Sequence, residues 1–442
     1  MKIKRLELSN GEKYSILLGD DGMPPLHENL FVTVTYRGTR TSNTCYKAFE
    51  HLRLLNEICG ALQIDLVDRC QTGDFLQKHE LRQLKRAATF DVKSMREMFA
   101  EHKASNVLPF KFNPKKLESA RAVIEIDEEG TLSPHTAYNR VTTFAHYIGW
   151  LEDELCPSKA EDSNTQEMLL AMRPDRLPSS NESAVDWDDW SSLTRAQVLE
   201  VLDVVEPNST RNPWKGESLR YRNELIVNMF EAFGCRRGEL MKIRVKTDNN
   251  PSDILTNPKN GRRAVRLRSK VDKDDNRTDR PEAKTIGRIV PMDSRLAKMY
   301  DNYLVNHRPN ATGSEHIPNL FVTHNHKKAS NSRLSLNQVN KIFRQISKVV
   351  GYWVHPHALR HTWNDRFSEA ADQRIAEKKT TETKSEADRQ KLMGWSENSR
   401  MAKHYAKRHT DKRAMEIGLD MQEKSSELIG EIVGGHDNDI DM

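Results

Sequence analysis

Between Lys159 and Asp186 the chain shows little apolar periodicity; serine, asparagine, aspartate and proline recur there, and Met168-Leu169-Leu170 is the main interruption. A stretch of that composition reads as a linker, because it offers few side chains to bury. The chain of 442 residues is therefore expected to fold as separate units rather than as one compact body. Composition sets limits more than it gives an answer. With 69 Lys+Arg against 64 Asp+Glu, the net charge of +5 permits a nucleic-acid partner without demanding one. No apolar run approaches the ~20 residues that span a membrane. Met1-Lys2-Ile3-Lys4-Arg5 is not followed by the apolar core of a secretory signal, so a cytoplasmic protein with no membrane partner is expected. Cys45, Cys59, Cys70, Cys156 and Cys235 are scattered without a Cys-x-x-Cys pair, the pattern of reduced thiols rather than of a zinc or redox site.

Ahead of the linker, residues 1–88 read as an α+β accessory domain. Lys13 to Leu18 and Leu30 to Tyr36 are strand-like, whereas Leu52, Leu55, Ile58 and Leu62 mark one buried face of a helix from about Tyr46 to Leu62. Residues 89–158 turn helical. Ser133 is a fitting N-cap, Pro134 suits the first turn, and Tyr138, Val141, Phe144, Ala145, Ile148 and Leu151 follow mostly in steps of three and four. Arg140, Arg121 and the group Lys111, Lys115 and Lys116 are candidates to line DNA, the alternative being a solvated face.

Beyond the linker, placed at 159–190, Ser192 or Thr194 can cap a helix running toward Val205. Tyr221, Leu225, Met229 and Phe233 mark the next helix, which Gly234 stops. Arg236 stands at the turn that follows, to be held by Glu239 or by backbone. A β-hairpin is expected from Arg262 to Lys270 and from Thr285 to Pro291, with Val265 and Leu267 inward and Arg266 and Arg268 on a basic outer face. A lysine at its tip can reach a DNA groove and protonate a leaving oxygen; Lys270 is preferred over Lys273 and Lys284. His357 and Arg360, three apart behind His355-Pro356, share a helical face, while His361 is expected on a different one. Trp395 and Tyr405 come last.

These residue types suit the cutting of a phosphodiester. Two guanidiniums cancel phosphate charge in a planar fork that stays protonated, and an imidazole moves a proton. A phenol, with a pKa near ~10, becomes a nucleophile when cations or a base favour its phenolate. The order Gly234-x-Arg236-x-x-Glu239-Leu240, His357-x-Leu359-Arg360-His361-Thr362, Leu392-Met393-Gly394-Trp395 and Tyr405 resembles the boxes of the tyrosine recombinases, the family of phage and mobile-element integrases. The likeness spans about Leu193 to His409, and the helix from Ser133 to Leu151 is similar to the family's core-binding domain.

The resemblance implies a mainly α fold with a small antiparallel β-sheet in the catalytic domain. Together with a helical core-binding domain, that domain forms a multidomain clamp on double-stranded DNA. The catalytic domain is expected at 191–412; after it, Met415, Leu419, Met421 and Leu428 in a charged stretch read as a C-terminal helix, followed by an acidic tail, within 413–442. By position, Arg236 and Arg360 clamp the scissile phosphate, His357 assists proton transfer, Trp395 takes the family's histidine-or-tryptophan place, Tyr405 is the nucleophile and Lys270 the general acid. Glu239 supports Arg236. The implied activity is site-specific strand breakage and rejoining through a 3′-phosphotyrosyl intermediate and a Holliday junction. A homo-tetramer on DNA is implied, an accessory DNA-bending protein is left open, and no metal, ATP or other cofactor is required. Two features depart from the family pattern: the charged run Glu377 to Lys384, expected as an exposed loop, and one extra residue between Trp395 and Tyr405. The alternatives are a type IB topoisomerase or telomere resolvase with the same residues, and a catalytically silent DNA-binding protein of the same fold.

Overall fold

The computed structural model describes residues 1–104, 130–174, 192–248, 250–269, 272, 275, 277, 281, 285–324, 332–396, 399, 414 and 417–425. The chain divides into two compact units, Met1–Val185 and Asp186–Met442, and the fold is mainly helical with small antiparallel sheets.

The N-terminal unit opens with β1 (Lys2–Glu7) and β2 (Lys13–Leu18), paired antiparallel with Ile3 opposite Leu17. Its helices are α1 (Leu26–Thr35), α2 (Ser42–Leu62), α3 (Leu66–Thr72), α4 (Lys78–Ala88), α5 (Val92–Ala104), α6 (Pro134–Leu155), α7 (Pro157–Ala160) and α8 (Thr165–Ala171). Phe49, Leu52 and Leu55 of α2, Leu81 and Leu84 of α4, and Val141, Phe144 and Ile148 of α6 are fully buried in one core. Residues on both sides of the boundary drawn at residue 88 thus share that core. The first part of the expected linker joins it as well. Leu169 of α8 is fully buried, and Ser163 Oγ donates to the Glu152 carboxylate at 2.6 Å, which fastens this segment to the end of α6.

Helix α6 starts where its sequence signals put it, with Ser133 Oγ accepting from the Thr136 N–H and Pro134 in the first turn. The segment from Leu30 to Tyr36 is not a strand; it lies largely in α1. Its β-branched run favours a strand locally, but tertiary contacts override that preference. The Asn29 amide accepts from the Leu17 N–H at 3.0 Å and donates to the Leu17 carbonyl at 3.1 Å, so a helix-borne side chain occupies the edge of β2 where a third strand would pair. Phe31 and Val32 are buried by the same arrangement. Arg140 does not face outward as expected: half-buried, it donates from Nη1 to the carbonyls of Phe90 at 2.7 Å and Ala88 at 3.3 Å. Arg121, Lys111, Lys115 and Lys116 lie outside the described residues.

The C-terminal unit contains α9 (Arg195–Val205), α10 (Glu217–Phe233), α11 (Arg237–Leu240), β3 (Ile254–Thr256), β4 (Arg263–Leu267), β5 (Arg288–Met292), α12 (Ser294–Asn302), α13 (Leu336–Val350), α14 (Pro356–Ala376) and α15 (Glu382–Met393). Thr194 caps α9 in a reciprocal box with Gln197. The hairpin of β4 and β5 forms with Val265 opposite Val290, and β3, which the sequence reading missed, pairs with β4 on its other edge. Leu225, Phe230, Val265, Phe343 and Leu359 belong to one core, in which Phe230 and Phe343 meet edge to face at 5.6 Å. The charged run Glu377 to Lys384 is no loop insertion. Helix α14 continues to Ala376 and α15 starts at Glu382 behind the cap of Thr381, so only a turn separates them. Glu, Lys and Thr in that run are compatible with helix ends exposed to water. Among the described residues no helix is long and apolar enough to cross a membrane.

Candidate active site

The site begins where α10 stops. Gly234 has φ of 53°, and a Cβ there would fall 2.7 Å from Trp363 Cγ and 2.9 Å from Met393 Cε, so both conformation and space demand glycine. The turn puts Arg236 at the N-cap of α11, in extended backbone, with its N–H donating to Glu239 Oε2 at 2.9 Å. Glu239 is 1% exposed. It also accepts from Arg288 Nη2 at 2.8 Å and from the Thr285 hydroxyl, and its Oε1 lies 3.8 Å from Arg236 Nη1. Burial opposes charge on this carboxyl, yet Arg288, Thr285 and the Arg236 N–H together hold its pKa below the ordinary range. Arg236 Nη1 is buried and makes no hydrogen bond among the described residues.

Arg288 and Thr285 escaped the sequence reading. The signal was present in β5, where Arg288, Val290 and Met292 alternate inward with outward Ile289 and Pro291: a cation stands in phase with the core. Arg288 Nε also donates to the Leu392 carbonyl at 2.5 Å, which joins the sheet to the end of α15. A second tie lies beside it, from the Ile286 N–H to the Gly394 carbonyl at 2.8 Å.

Helix α14 brings the next group. His355 is its N-cap, with Nδ1 accepting from the Ala358 N–H at 3.2 Å, and His357 follows in the first turn. The His357 ring opens on a cleft it shares with Arg236. Desolvation by the surrounding protein, then the nearby charges of Arg360, His355 and Arg236, pull its pKa below the ordinary value, so the imidazole is mainly neutral at neutral pH. Arg360 is 1% exposed; Nη1 donates to the Gly234 carbonyl at 2.6 Å, and Cζ stands 5.8 Å from the centroid of the Trp395 ring. Trp395 is itself buried and packs with Met393 and Trp363. His361 is not on a separate face. Its ring meets that of His357 at 4.3 Å, as residues four apart on a helix do.

Arg236, Glu239, His357, Arg360 and Trp395 are therefore gathered in one region of the C-terminal unit. Of the hairpin arginines, Arg266 is exposed as expected, whereas Arg268 turns back to Asp253 Oδ2 at 3.0 Å and the Lys242 carbonyl at 2.7 Å. Buried Lys242 returns the bond to the carbonyls of Arg268 and Ser269, at 3.1 Å and 3.3 Å, and burial pushes its pKa down to about 8. Lys270, its alternatives Lys273 and Lys284, and Tyr405 lie outside the described residues. Two guanidiniums and a neutral imidazole in this arrangement can hold a phosphate and relay a proton.

The model of the phage integrase family matches residues 191–412. Comparison with curated protein sequences finds no match. Solved structures similar to this chain include XerA recombinase, at 16% identity over 71% of this chain and 87% of that one, with a TM-score of 0.30. The Tn1549 transposon integrase in complex with transposon right end DNA is 17% identical over 71% of this chain and 96% of that one, with a TM-score of 0.35. A lambda integrase dimer bound to a COC′ core site is 12% identical over 91% of this chain and 93% of that one, with a TM-score of 0.28.

Proposed function

Since the chain belongs to the phage integrase family, the tyrosine recombinases, we propose that it is a site-specific DNA recombinase serving a mobile element. The gathering of Arg236, His357 and Arg360 around the Gly234 turn, above a buried Glu239–Arg288 pair, is the observation that carries this reading.

Arg236 and Arg360 neutralise the non-bridging oxygens of the scissile phosphate as charge builds on them in the transition state. Glu239 is committed to Arg288, Thr285 and the Arg236 backbone, so it positions Arg236 rather than competing with the phosphate for it. The Tyr405 phenol oxygen attacks phosphorus and its proton is accepted with the help of His357. The bond from phosphorus to the 5′ oxygen breaks, Lys270 protonates that oxygen, and a 3′-phosphotyrosyl ester remains. Attack by the 5′ hydroxyl of a second duplex reverses these steps and joins the strands, giving a Holliday junction after one exchange. Trp395 packs beside the Arg360 guanidinium. A tetramer on DNA is the assembly this exchange calls for.

The test is strand exchange. Duplexes bearing the site found in the DNA flanking the gene, incubated with the protein, should give four-way junctions and reciprocal recombinants. Relaxation of supercoils without exchange would favour the topoisomerase reading, and binding with neither would favour a silent DNA-binding protein.

A further inference from the structure

Beside Arg236 and His357 lies a cleft of about 380 Å³ between α11, α13 and the segment entering α14. Its floor is apolar, with Cys235 and Phe343 each 1% exposed. Its rim is cationic: Arg236, Arg237 and Arg344 line it, and among the described residues no aspartate or glutamate does. At the mouth stands Trp353, 63% exposed, with the His355 ring 6.0 Å away. An indole held in water at the edge of a cationic cleft is an unused stacking surface.

We propose that this cleft is a subsite for one extruded DNA nucleotide, with its base stacked on Trp353 and its flanking phosphates met by Arg344 and Arg236. The identity of the polyanion rests on the recombinase reading; the rest follows from size, charge and surface. A cleft of this volume is too small to admit a duplex, but it can take a single base. The guanidiniums of Arg344 and Arg236 at the rim favour a strand phosphate there. Arg237 is engaged by Asn340 at 2.5 Å, whereas Arg344 is exposed on α13. Every base has a π face, so the subsite tolerates many sequences, and a base that is already unpaired avoids the cost of leaving the stack.

The experiment compares binding of the full chain to two probes, an intact mixed-sequence duplex and the same duplex carrying one unpaired thymine. The wild type should prefer the second by about 10-fold, within the range of one base–aromatic stack. Trp353→Ala should abolish the preference while leaving affinity for the intact duplex nearly unchanged, and Trp353→Phe should keep most of it. With 5-iodouracil as the unpaired base, irradiation should crosslink the DNA to the peptide containing Trp353. A wild type without the preference, a Trp353→Ala variant that retains it, or a crosslink formed only elsewhere overturns the proposal. If the preference depends on Trp353 but no covalent adduct ever forms on DNA, the recombinase reading fails and the subsite stands.

Discussion

In the N-terminal unit no arginine is buried among the described residues, whereas the C-terminal unit buries Arg222, Arg277, Arg288, Arg308, Arg360 and Arg389. Most of these guanidiniums reach backbone carbonyls: Arg222 that of Val322 at 2.9 Å, Arg277 that of Leu334 at 2.7 Å, Arg308 that of Leu320 at 3.1 Å and Arg360 that of Gly234 at 2.6 Å. Helices of the N-terminal unit satisfy most of their own backbone, and partly exposed cations such as Arg140 serve carbonyls at their ends. The C-terminal unit also places turns and loop segments around its candidate site and core, and their carbonyls require partners. A guanidinium, with five donors in a rigid fork, supplies several at once and holds loop geometry fixed. Buried arginine in this molecule is first a means of fixing irregular backbone, and Arg360 combines this role with its proposed contact to phosphate.

That contrast can be broken by substitution. Glu239→Ala should leave Arg288 buried without its carboxylate and cost the C-terminal unit about 3–5 kcal/mol in urea unfolding. The N-terminal transition should stay where it is, and a loss below about 1 kcal/mol would show that the pair is dispensable. Arg236→Ala or Arg360→Ala should lower DNA cleavage by about 10²–10³-fold with a much smaller loss of binding. Equal losses in both measurements would reduce these arginines to anchors.

Acid should separate the units by sign. Glu239 has a folded pKa below its reference of 4.5, so its stabilisation is complete above that value and is lost as pH falls through the folded pKa. Glu152 of the N-terminal unit is the opposite case. Burial raises its pKa above 4.5 against the hydrogen bonds from Ser163 and Thr165, so its contribution is present below 4.5 and fades as pH rises through the folded pKa. Urea midpoints of the N-terminal transition should therefore decline from mildly acidic to neutral pH less in Glu152→Gln than in the wild type; identical slopes would contradict the assignment. The smallest effects concern two surface-reading arginines. Arg140→Ala should cost the N-terminal unit about 1 kcal/mol by freeing the Phe90 and Ala88 carbonyls. Arg266→Ala should leave stability alone and reduce the salt slope of DNA binding by about 1.

Local signals were legible in the sequence. The caps at Ser133 and Thr194, the stop at Gly234, the alternation around Val265 and the start of α14 behind His355-Pro356 each depend on a few adjacent residues. What stayed hidden depends on distant partners. The β-branched run after Leu30 reads as a strand until Asn29 meets Leu17. Arg140 and Arg268 read as surface cations until the carbonyls that hold them are brought near. The grouping of Arg236, His357 and Arg360 was legible by resemblance, while the Glu239–Arg288 pair beneath it was not, because buried arginine has the same letter as exposed arginine.

Covalent chemistry at Tyr405 can be measured with a nicked suicide substrate. After cleavage the short strand beyond the nick diffuses away, and the wild type should accumulate a protein–DNA adduct that survives SDS, with the DNA mapped to the Tyr405 peptide. Tyr405→Phe should bind the same DNA and form none. An adduct that persists in Tyr405→Phe, or a wild type that binds its proper site and forms none, would contradict the account.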